Sequence, residues 1–297
     1  MNTSINNFQD FSLSTSLTLE YASPNENEGY LNLFSYDGEN KREYCMYLYG
    51  ENQFDTVWEY EYHDCLTIWR KLLDPTDKVL ILGSWDLMNH RFLGSYDVDL
   101  IDIDPLMTHL AQSHPLMLQL NQYTPSQNYH IHNMDALDFM TYQQERLHEY
   151  NYIVLDFPVM ISPVNDEVKK FGLEKFFSKE IFVDSLLKNL AYNGLITMQA
   201  DDTLVHVEHK KYFQTLIEGT GLYFHMYSID FLDSTYKQYF YMFTKNENIY
   251  EKFKKISRPM VAKPGLFRKD DYFTSLFESW QDNIIDYAIY KDVLSWK

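Results

Sequence analysis

"VLILGSWDLMNHRF", residues 79–92, places an apolar run directly before Gly83. Such a run ending in glycine is typical of the first strand and loop of a nucleotide-binding α/β domain, because glycine permits a tight turn close to a ligand. The glycines that usually follow are replaced by Ser84 and Trp85, and Asp86 comes next. The stretch predicts a buried strand, followed by an intact cofactor loop, a rebuilt one, or an ordinary strand end.

Further apolar segments continue this pattern along the chain. They are "VDLIDID" (98–104), "NYHIHNMDALDF" (128–139), "YNYIVLDFP" (150–158) and "GLITMQA" (194–200). Helical stretches, 105–114 and 178–193 among them, lie between the strands, and this alternation predicts a parallel sheet covered on both faces. The segments 223–230 and 236–246 predict a closing antiparallel pair.

The region before the sheet has a different pattern. Segments 17–22, 30–37 and 42–50 alternate apolar and polar residues between turn-forming stretches, which predicts a small antiparallel β unit. Residues 57–73 carry apolar residues at helical spacing, and "DPTD" (74–77) ends that predicted helix. We therefore predict a domain boundary near Asp74.

Composition limits the partners that the protein can have. The chain has 297 residues, 45% of them hydrophobic, with a formal net charge of −18. Such a chain can bury a substantial core, and its charge argues against nucleic acids and anionic membranes as partners. A cationic small substrate would be attracted, although the charge also fits simple solubility. Because no signal peptide or membrane span is visible, we expect a cytoplasmic protein.

Carboxylates follow four of the predicted strands: Asp86, Asp102, Asp135 and Asp156. Ligands of open α/β sheets bind beyond the carboxyl ends of the strands. Asp102 follows Gly83 at close to the roughly 20-residue spacing of an acid that binds ribose hydroxyls. Each aspartate alone could be a helix N-cap or a turn residue. Four of them at successive strand ends favour a nucleoside site.

At these positions the chain resembles the spermidine synthase family of aminopropyltransferases, whose sheet is that of class I methyltransferases. The family's GGGDG loop corresponds to "GSWDL" (83–87), and its strand end VEIDP corresponds to "LIDIDP" (100–105). Its G-D-G or G-D-A corresponds to "MDA" (134–136), its LFSKEF to "FFSKEIF" (176–182), and its TQA to "TMQA" (197–200). The five motifs occur in the family's order, although none is decisive alone.

Similarity extends to both sides of the sheet, over roughly residues 30–270. The family's QLTERDEFxYHE run corresponds without a gap to "QFDTVWEYEYHD" (53–64), and its PTYPSGYWGF to "STYKQYFYMF" (234–243). The first 16 residues are polar and predict a flexible N-terminus (1–16), which is followed by the predicted N-terminal antiparallel β domain with its linking helix (17–74). A Rossmann-like catalytic domain with a mostly parallel sheet and an antiparallel closing strand then occupies 75–297.

The family reaction is displacement at carbon: an amine attacks the aminopropyl carbon of decarboxylated S-adenosylmethionine, and methylthioadenosine leaves. The resemblance implies that Asp156 accepts or orients the amine proton, with Tyr62 beside it. It also implies two sets of binding residues. Those for the donor are Gln53, His63, Gly83, Asp86, Asp102, Ile103, Asp135 and Ala136, and those for the acceptor are Glu59, Gln199 and Tyr236. No metal is implied, and a homodimer is expected.

The chain departs from the family in its catalytic loop. The family's DSSDP is "DFPVM" (156–160) here, so Val159 replaces the second acid, which grips the amine of putrescine. Residues 56–58, usually charged, are Thr, Val and Trp. A putrescine ammonium would lose partners, and an unpaired charge in such a pocket is costly. We therefore expect a larger or less cationic small-molecule acceptor, attacking through an amine, a hydroxyl or a phosphate.

Two other functions remain open at this point. One is methyl or aminocarboxypropyl transfer from intact S-adenosylmethionine, and Trp85 argues against it by crowding the site of the methionine carboxylate. The other is a non-catalytic, nucleoside-binding relative. The retention of Asp156 favours an enzyme, because a binding protein has no need of that group.

Overall fold

The computed structural model describes residues 17–22, 31–38, 41–48, 51–142, 149–157, 180–200, 220–230, 237–249 and 284–286. The chain divides into two compact units, Met1–Glu61 and Tyr62–Lys297. Within the described ranges, no helix is long and apolar enough to cross a membrane. Both cysteines, Cys45 and Cys65, are buried free thiols.

The first unit contains a four-stranded antiparallel sheet in the order β1-β2-β3-β4. Its strands are β1 (Thr18–Ala22), β2 (Leu31–Asp37), β3 (Arg42–Leu48) and β4 (Glu51–Asp55). Leu31, Leu33 and Ser35 are buried and their neighbours along β2 are less so, which explains the alternation seen in the sequence. The predicted β unit is confirmed, with β4 as a strand that the sequence analysis did not anticipate.

The second unit contains an eight-stranded sheet in the order β12-β10-β11-β9-β8-β5-β6-β7. Its strands are β5 (Lys78–Gly83), β6 (Asp97–Asp102), β7 (Tyr129–Asn133), β8 (Tyr150–Asp156), β9 (Leu190–Ala200), β10 (Tyr223–Asp230), β11 (Lys237–Thr244) and β12 (Ile284–Asp286). Pairing is parallel from β9 to β7 and between β10 and β12, whereas β11 is antiparallel to both of its neighbours. The predicted fold class is confirmed.

Short helices connect these strands. They are α1 (Glu59–Leu66), α2 (His90–Leu93), α3 (Pro105–Ser113), α4 (Pro115–Asn121), α5 (Ala136–Tyr142) and α6 (Glu180–Asn189). The single helix predicted for 57–73 is instead α1 followed by a 3-10 helix, Ile68–Leu72. The interruption lies at Thr67, whose hydroxyl donates to the His63 carbonyl at 2.6 Å.

Residues 62–73, which the sequence analysis groups with the first domain, belong to the second unit. They are attached to the large sheet, because the Tyr152 hydroxyl donates to the Leu66 carbonyl at 2.8 Å and the Trp69 ring is fully buried. The limits of independently folding domains stay a prediction.

The order of the strands determines where a ligand can bind. The chain runs from β5 to β6 and β7 on one side, and β8 then returns to the other side of β5. Connections from β5 and β8 thus leave in opposite directions, which opens a crevice at the carboxyl ends of these two strands. Gly83 and Asp156 face each other there in the strand register.

Candidate functional site

Gly83 and Asp156 approach each other more closely than any residue but glycine would allow. Gly83 has φ 88°. A Cβ at this position would lie 2.4 Å from the carbonyl oxygen of Asp156. A side chain here would therefore meet both backbone strain and a collision. Gly83 thus sets the distance between the first loop and the acid at the end of β8.

The loop after Gly83 keeps a glycine-type backbone without glycines. Ser84 has φ 69° and Leu87 has φ 60°, both in the left-handed region. These are two of the positions at which the family's GGGDG motif carries glycine. Non-glycine residues there cost roughly 1 kcal/mol or more each. The loop is therefore rebuilt in its side chains, while its backbone path retains the turns that glycine normally supplies.

Asp156 has hydrogen-bond donors on both carboxylate oxygens. Its Oδ1 accepts from the Tyr62 hydroxyl at 2.8 Å, and its Oδ2 accepts from Nδ2 of Asn89 at 3.1 Å. Tyr62 comes from α1, and its ring also packs against Phe240 of β11. The predicted neighbourhood of Asp156 and Tyr62 is therefore present in the structure.

The hydroxyl of Tyr62 faces a second acceptor, Oε1 of Gln199, at 2.7 Å. The side-chain amide of Gln199 is oriented by Nε2, which donates to the Phe157 carbonyl. One phenolic proton thus lies between two acceptor oxygens and can satisfy only one at a time. An N–H of a bound molecule can donate to the other oxygen.

Asp86 lies within the rebuilt loop and is almost fully buried. Its Oδ1 accepts from the Met88 amide at 2.9 Å, and its Oδ2 lies 3.6 Å from Nε2 of His63. Asn121 donates to the Asp86 carbonyl at 3.0 Å and so fixes the backbone from the side of α4. His63, from α1, therefore reaches the same loop as Asp86, as the sequence analysis expects.

Asp102 ends β6 with its side chain buried, and its Oδ1 accepts from the Asp104 amide at 2.8 Å. Burial raises the pKa of Asp102 to about 7; the Asp104 amide opposes the rise, and the charges of Asp86 and Asp156 add to it. Ile103, the next residue, is 48% exposed, an unusual position for a large aliphatic side chain. An acid beside an exposed apolar surface suits a ribose and a flat base.

Asp135 follows β7 and begins α5. Its Oδ1 accepts from the Leu137 amide at 2.7 Å, and Ala136 beside it is buried. The amide of Met134 donates to the Asp102 carbonyl at 3.0 Å, which holds this loop next to the end of β6. The helix-cap alternative is therefore correct for Oδ1 of Asp135.

The remaining predicted site residues belong to the first unit or lie outside the described residues. Gln53 on β4 and Glu59 at the start of α1 belong to the first unit, where Gln53 is partly exposed and Glu59 is buried. Tyr236 and Val159 lie outside the described residues, so their roles stay predictions. In the part of the chain that the structure describes, no three His, Cys, Asp or Glu side chains are grouped to hold a metal ion.

The sequence analysis missed Asn89 and gave Ser84 no positive role. Nδ2 of Asn89 donates both to Asp156 and, at 2.7 Å, to the Ser84 hydroxyl. One signal was present in the sequence: a serine in place of a glycine, followed five residues later by an asparagine. Without the left-handed turn at Ser84, however, the two side chains could not be expected to meet.

Comparison with known proteins finds similar sequences among polyamine aminopropyltransferases. Polyamine aminopropyltransferase 1 of Streptomyces coelicolor is 31% identical over 162 residues, which are 52% of this chain and 28% of that protein. Polyamine aminopropyltransferase 2 of Aquifex aeolicus is 27% identical over 188 residues, 61% of this chain and 36% of that protein. The matched region thus spans about a third of the length of these curated relatives.

Solved structures share the fold at low sequence identity. Spermidine synthase of Thermotoga maritima superposes with a TM-score of 0.59 at 14% identity, covering 89% of this chain and 86% of that one. A spermidine synthase in complex with the transition-state analogue AdoDATO gives 0.60 at 16% identity, covering 89% and 87%. The model of the spermine/spermidine synthase domain matches residues 59–255. This match includes the large sheet from β5 to β11, and the chain therefore belongs to the spermine/spermidine synthase family.

Proposed function

We propose that this protein transfers an aminopropyl group from decarboxylated S-adenosylmethionine to an amine and releases methylthioadenosine. The amine nitrogen forms a bond to the aminopropyl carbon, the carbon–sulfur bond breaks, and its electron pair remains on sulfur. The proton lost by the nitrogen passes to Asp156. The observation that carries this proposal is the pair of donors on Asp156, Tyr62 and Asn89, at the crevice between β5 and β8.

The arrangement around Tyr62 supports an amine as the acceptor. Asp156 and Gln199 both present an oxygen to the single phenolic proton of Tyr62, so one of these oxygens can accept from a bound molecule. An amine brings N–H donors to such a site. A phosphate brings negative charge, which the carboxylates of Asp156 and Asp86 would repel. Among the acceptors that the sequence leaves open, the phosphate is therefore the least suitable.

The same carboxylates support the decarboxylated donor. Asp86, Asp102 and Asp156 lie close enough for the first and last to raise the pKa of the second. The decarboxylated donor carries a sulfonium and an ammonium, which this negative site would attract. Intact S-adenosylmethionine adds a carboxylate to the same end of the molecule, and bringing it into this field costs free energy.

The identity of the acceptor is a separate part of the proposal. Val159 in place of an acid, and the uncharged residues 56–58, favour an amine larger or less cationic than putrescine. The homodimer, the cytoplasmic location and the roles of Gln53, Glu59 and Tyr236 stay predictions.

The test measures release of methylthioadenosine from decarboxylated and intact S-adenosylmethionine with a panel of amines, putrescine included. Replacing Asp156 by Asn removes the proton acceptor, and we expect kcat to fall about 10²- to 10⁴-fold. The Kd for methylthioadenosine, measured by calorimetry, should change less than about 3-fold, because this product carries neither the aminopropyl group nor the acceptor amine.

Tyr62→Phe is the matched variant, since it leaves the carboxylate and removes one donor, and a smaller loss of kcat is expected. Methyl transfer from intact S-adenosylmethionine would overturn the proposal, as would Asp156→Asn with unchanged kcat. Putrescine used as efficiently as by a spermidine synthase would overturn the part concerning the acceptor.

A further inference from the structure

Asn89 is a fully buried asparagine whose amide serves only as a donor. Its two Nδ2 protons go to Oδ2 of Asp156 at 3.1 Å and to Oγ of Ser84 at 2.7 Å. Its Oδ1 is buried and has no hydrogen-bond partner among the residues that the structure describes. A buried amide with half of its hydrogen-bonding capacity unused costs stability. The presence of Asn89 at this position is therefore better explained by its hydrogen bonds to Asp156 and Ser84 than by a contribution to stability.

Ser84 continues the hydrogen-bond chain toward the second acid. Its hydroxyl accepts from Asn89 and lies 3.3 Å from Oδ1 of Asp86, to which it can donate. The residue adopts φ 69°, a conformation that glycine would adopt without strain. A glycine here would have no oxygen to receive the second amide proton, so Asn89 would lose one of its two anchors.

We infer that Asn89, held by Ser84, is a positioning residue that aims the carboxylate of Asp156 at the acceptor amine. The inference rests on the proposed function, because it assigns Asn89 a part in that reaction. Donated hydrogen bonds run outward from Asn89 to Asp156 and through Ser84 to Asp86. With Oδ2 held by Asn89, Oδ1 is directed toward Tyr62, where the amine of a bound acceptor can also donate to it.

The uncharged nature of the bridge matters for the chemistry. A lysine or arginine in this place would also orient the carboxylate, but its charge would cancel the attraction for the amine and weaken the base. An amide orients Asp156 and leaves its charge for the substrate. Through Ser84, the amide also links the carboxylates of Asp156 and Asp86 without placing a positive charge between them. His63 lies 3.6 Å from Asp86.

The test compares Asn89→Leu, which keeps the approximate shape and removes both donors, with Asn189→Leu. Asn189 is an equally buried asparagine on α6 with one amide bond, to the Ser185 carbonyl, and an Oδ1 without a partner, so it reproduces the structural cost away from the site. Kinetics with the best amine and crystal structures of both variants and of the parent protein are the readouts.

We expect Asn89→Leu to turn the Asp156 carboxylate away from Tyr62 and to lower kcat about 10- to 100-fold with the donor KM within about 3-fold. Asn189→Leu should leave both unchanged. Ser84→Gly should lower kcat by a smaller factor, and Ser84→Thr, which restores a hydroxyl, should recover part of it. An unmoved carboxylate in Asn89→Leu, or a kcat within 2-fold of the parent value, overturns the inference. If the parent protein transfers nothing, the proposed function fails, and the position of the carboxylate in the crystals still decides the role of Asn89.

Discussion

At the scale of single residues, the site depends on backbone positions as much as on acids. Because Gly83 has no side chain, the carbonyl of Asp156 can pack directly against the first loop. Ser84 and Leu87 then occupy left-handed conformations and carry side chains that glycine lacks. Gly83 therefore determines the position of the Asp156 backbone, and Asn89 orients its carboxylate.

Gly83→Ala should destabilise the protein and disturb Asp156 at the same time. The left-handed φ costs an alanine about 1–2 kcal/mol, and the collision with the Asp156 carbonyl adds to that. Gly221→Ala is the control, because Gly221 has φ 73° with nothing within 4 Å of a Cβ. Urea denaturation should show a loss of more than about 3 kcal/mol for Gly83→Ala and of about 1 kcal/mol for Gly221→Ala. Equal losses would mean that the close approach has no energetic weight.

Asp102 should make stability depend on pH. Its pKa is raised to about 7 from an ordinary 3.8, so between these values the folded protein holds a proton that the unfolded chain has released. The free energy of unfolding therefore falls by at most about 4 kcal/mol as pH rises through this window, and it no longer changes above the window. Asp102→Asn should flatten that part of the curve, measured by urea denaturation from pH 4.5 to 8. Parallel curves for the two proteins would contradict the cause that we assign.

The acids of the site could be predicted from the sequence, and the groups that orient them could not. Asp102 and Asp156 follow recognisable apolar strands, and strand ends converge in this topology. The link from Asn89 to Asp156 depends on φ at Ser84 and on two hydrogen bonds between loops. Neither has a pattern that is visible in one sequence.

At the scale of elements, each strand end is joined to the start of the next helix. Asp104 is the N-cap of α3: its Oδ1 accepts from the Leu106 and Met107 amides at 2.9 and 3.1 Å, and Pro105 occupies the first turn. Its own amide donates to Asp102. The cap of α3 thus also holds the backbone beside the predicted ribose-binding acid.

Asp104→Ala should cost about 1 kcal/mol of stability, because the first-turn amides lose their acceptor. Asp104→Asn keeps an acceptor oxygen and should lower the free energy of unfolding by only about 0.3 kcal/mol. Thermal denaturation measures the first effect, and titration with methylthioadenosine should show a few-fold weaker Kd for the alanine variant alone. Equal affinity in both variants would show that α3 and the acid are independent.

Elements with a clear apolar period were predicted well, and their interruptions were not. The strands from β5 to β11 lie where the apolar runs place them, although β9 starts at Leu190, ahead of the predicted segment. The helix at 57–73 changes to 3-10 geometry after Thr67, whose amide and hydroxyl both donate to the His63 carbonyl. A break of this kind leaves the apolar spacing almost unchanged, so the sequence gives no sign of it.

At the scale of the whole molecule, the strand order follows from a few rules, while the unit boundary does not. Parallel strands with right-handed crossovers limit the sheet to few orders, and the resemblance selects among them. The short edge strand β12, Ile284–Asp286, carries no such signal and was missed. Residues 62–73 are attached to the large sheet by the hydrogen bond from Tyr152 to the Leu66 carbonyl. No change in amino-acid composition along the chain marks this boundary.

The net charge of −18 should make the Kd of the proposed donor more sensitive to salt than the Kd of the product. Decarboxylated S-adenosylmethionine is a cation, and methylthioadenosine has the same adenosine end without the charge. Because exposed charges are screened beyond about 10 Å at 0.1 M ionic strength, raising NaCl weakens the attraction for the cation alone. Between about 20 and 300 mM NaCl, the Kd of the donor should rise roughly 10-fold and that of methylthioadenosine less than about 2-fold. Of the three acids at the strand ends, Asp86 and Asp102 are buried and Asp156 is half-buried. Their charges are less screened than exposed ones, so part of the preference for the cation should persist at high salt. If both ligands respond equally, the negative charge serves solubility, and selection of the donor must come from the shape of the site.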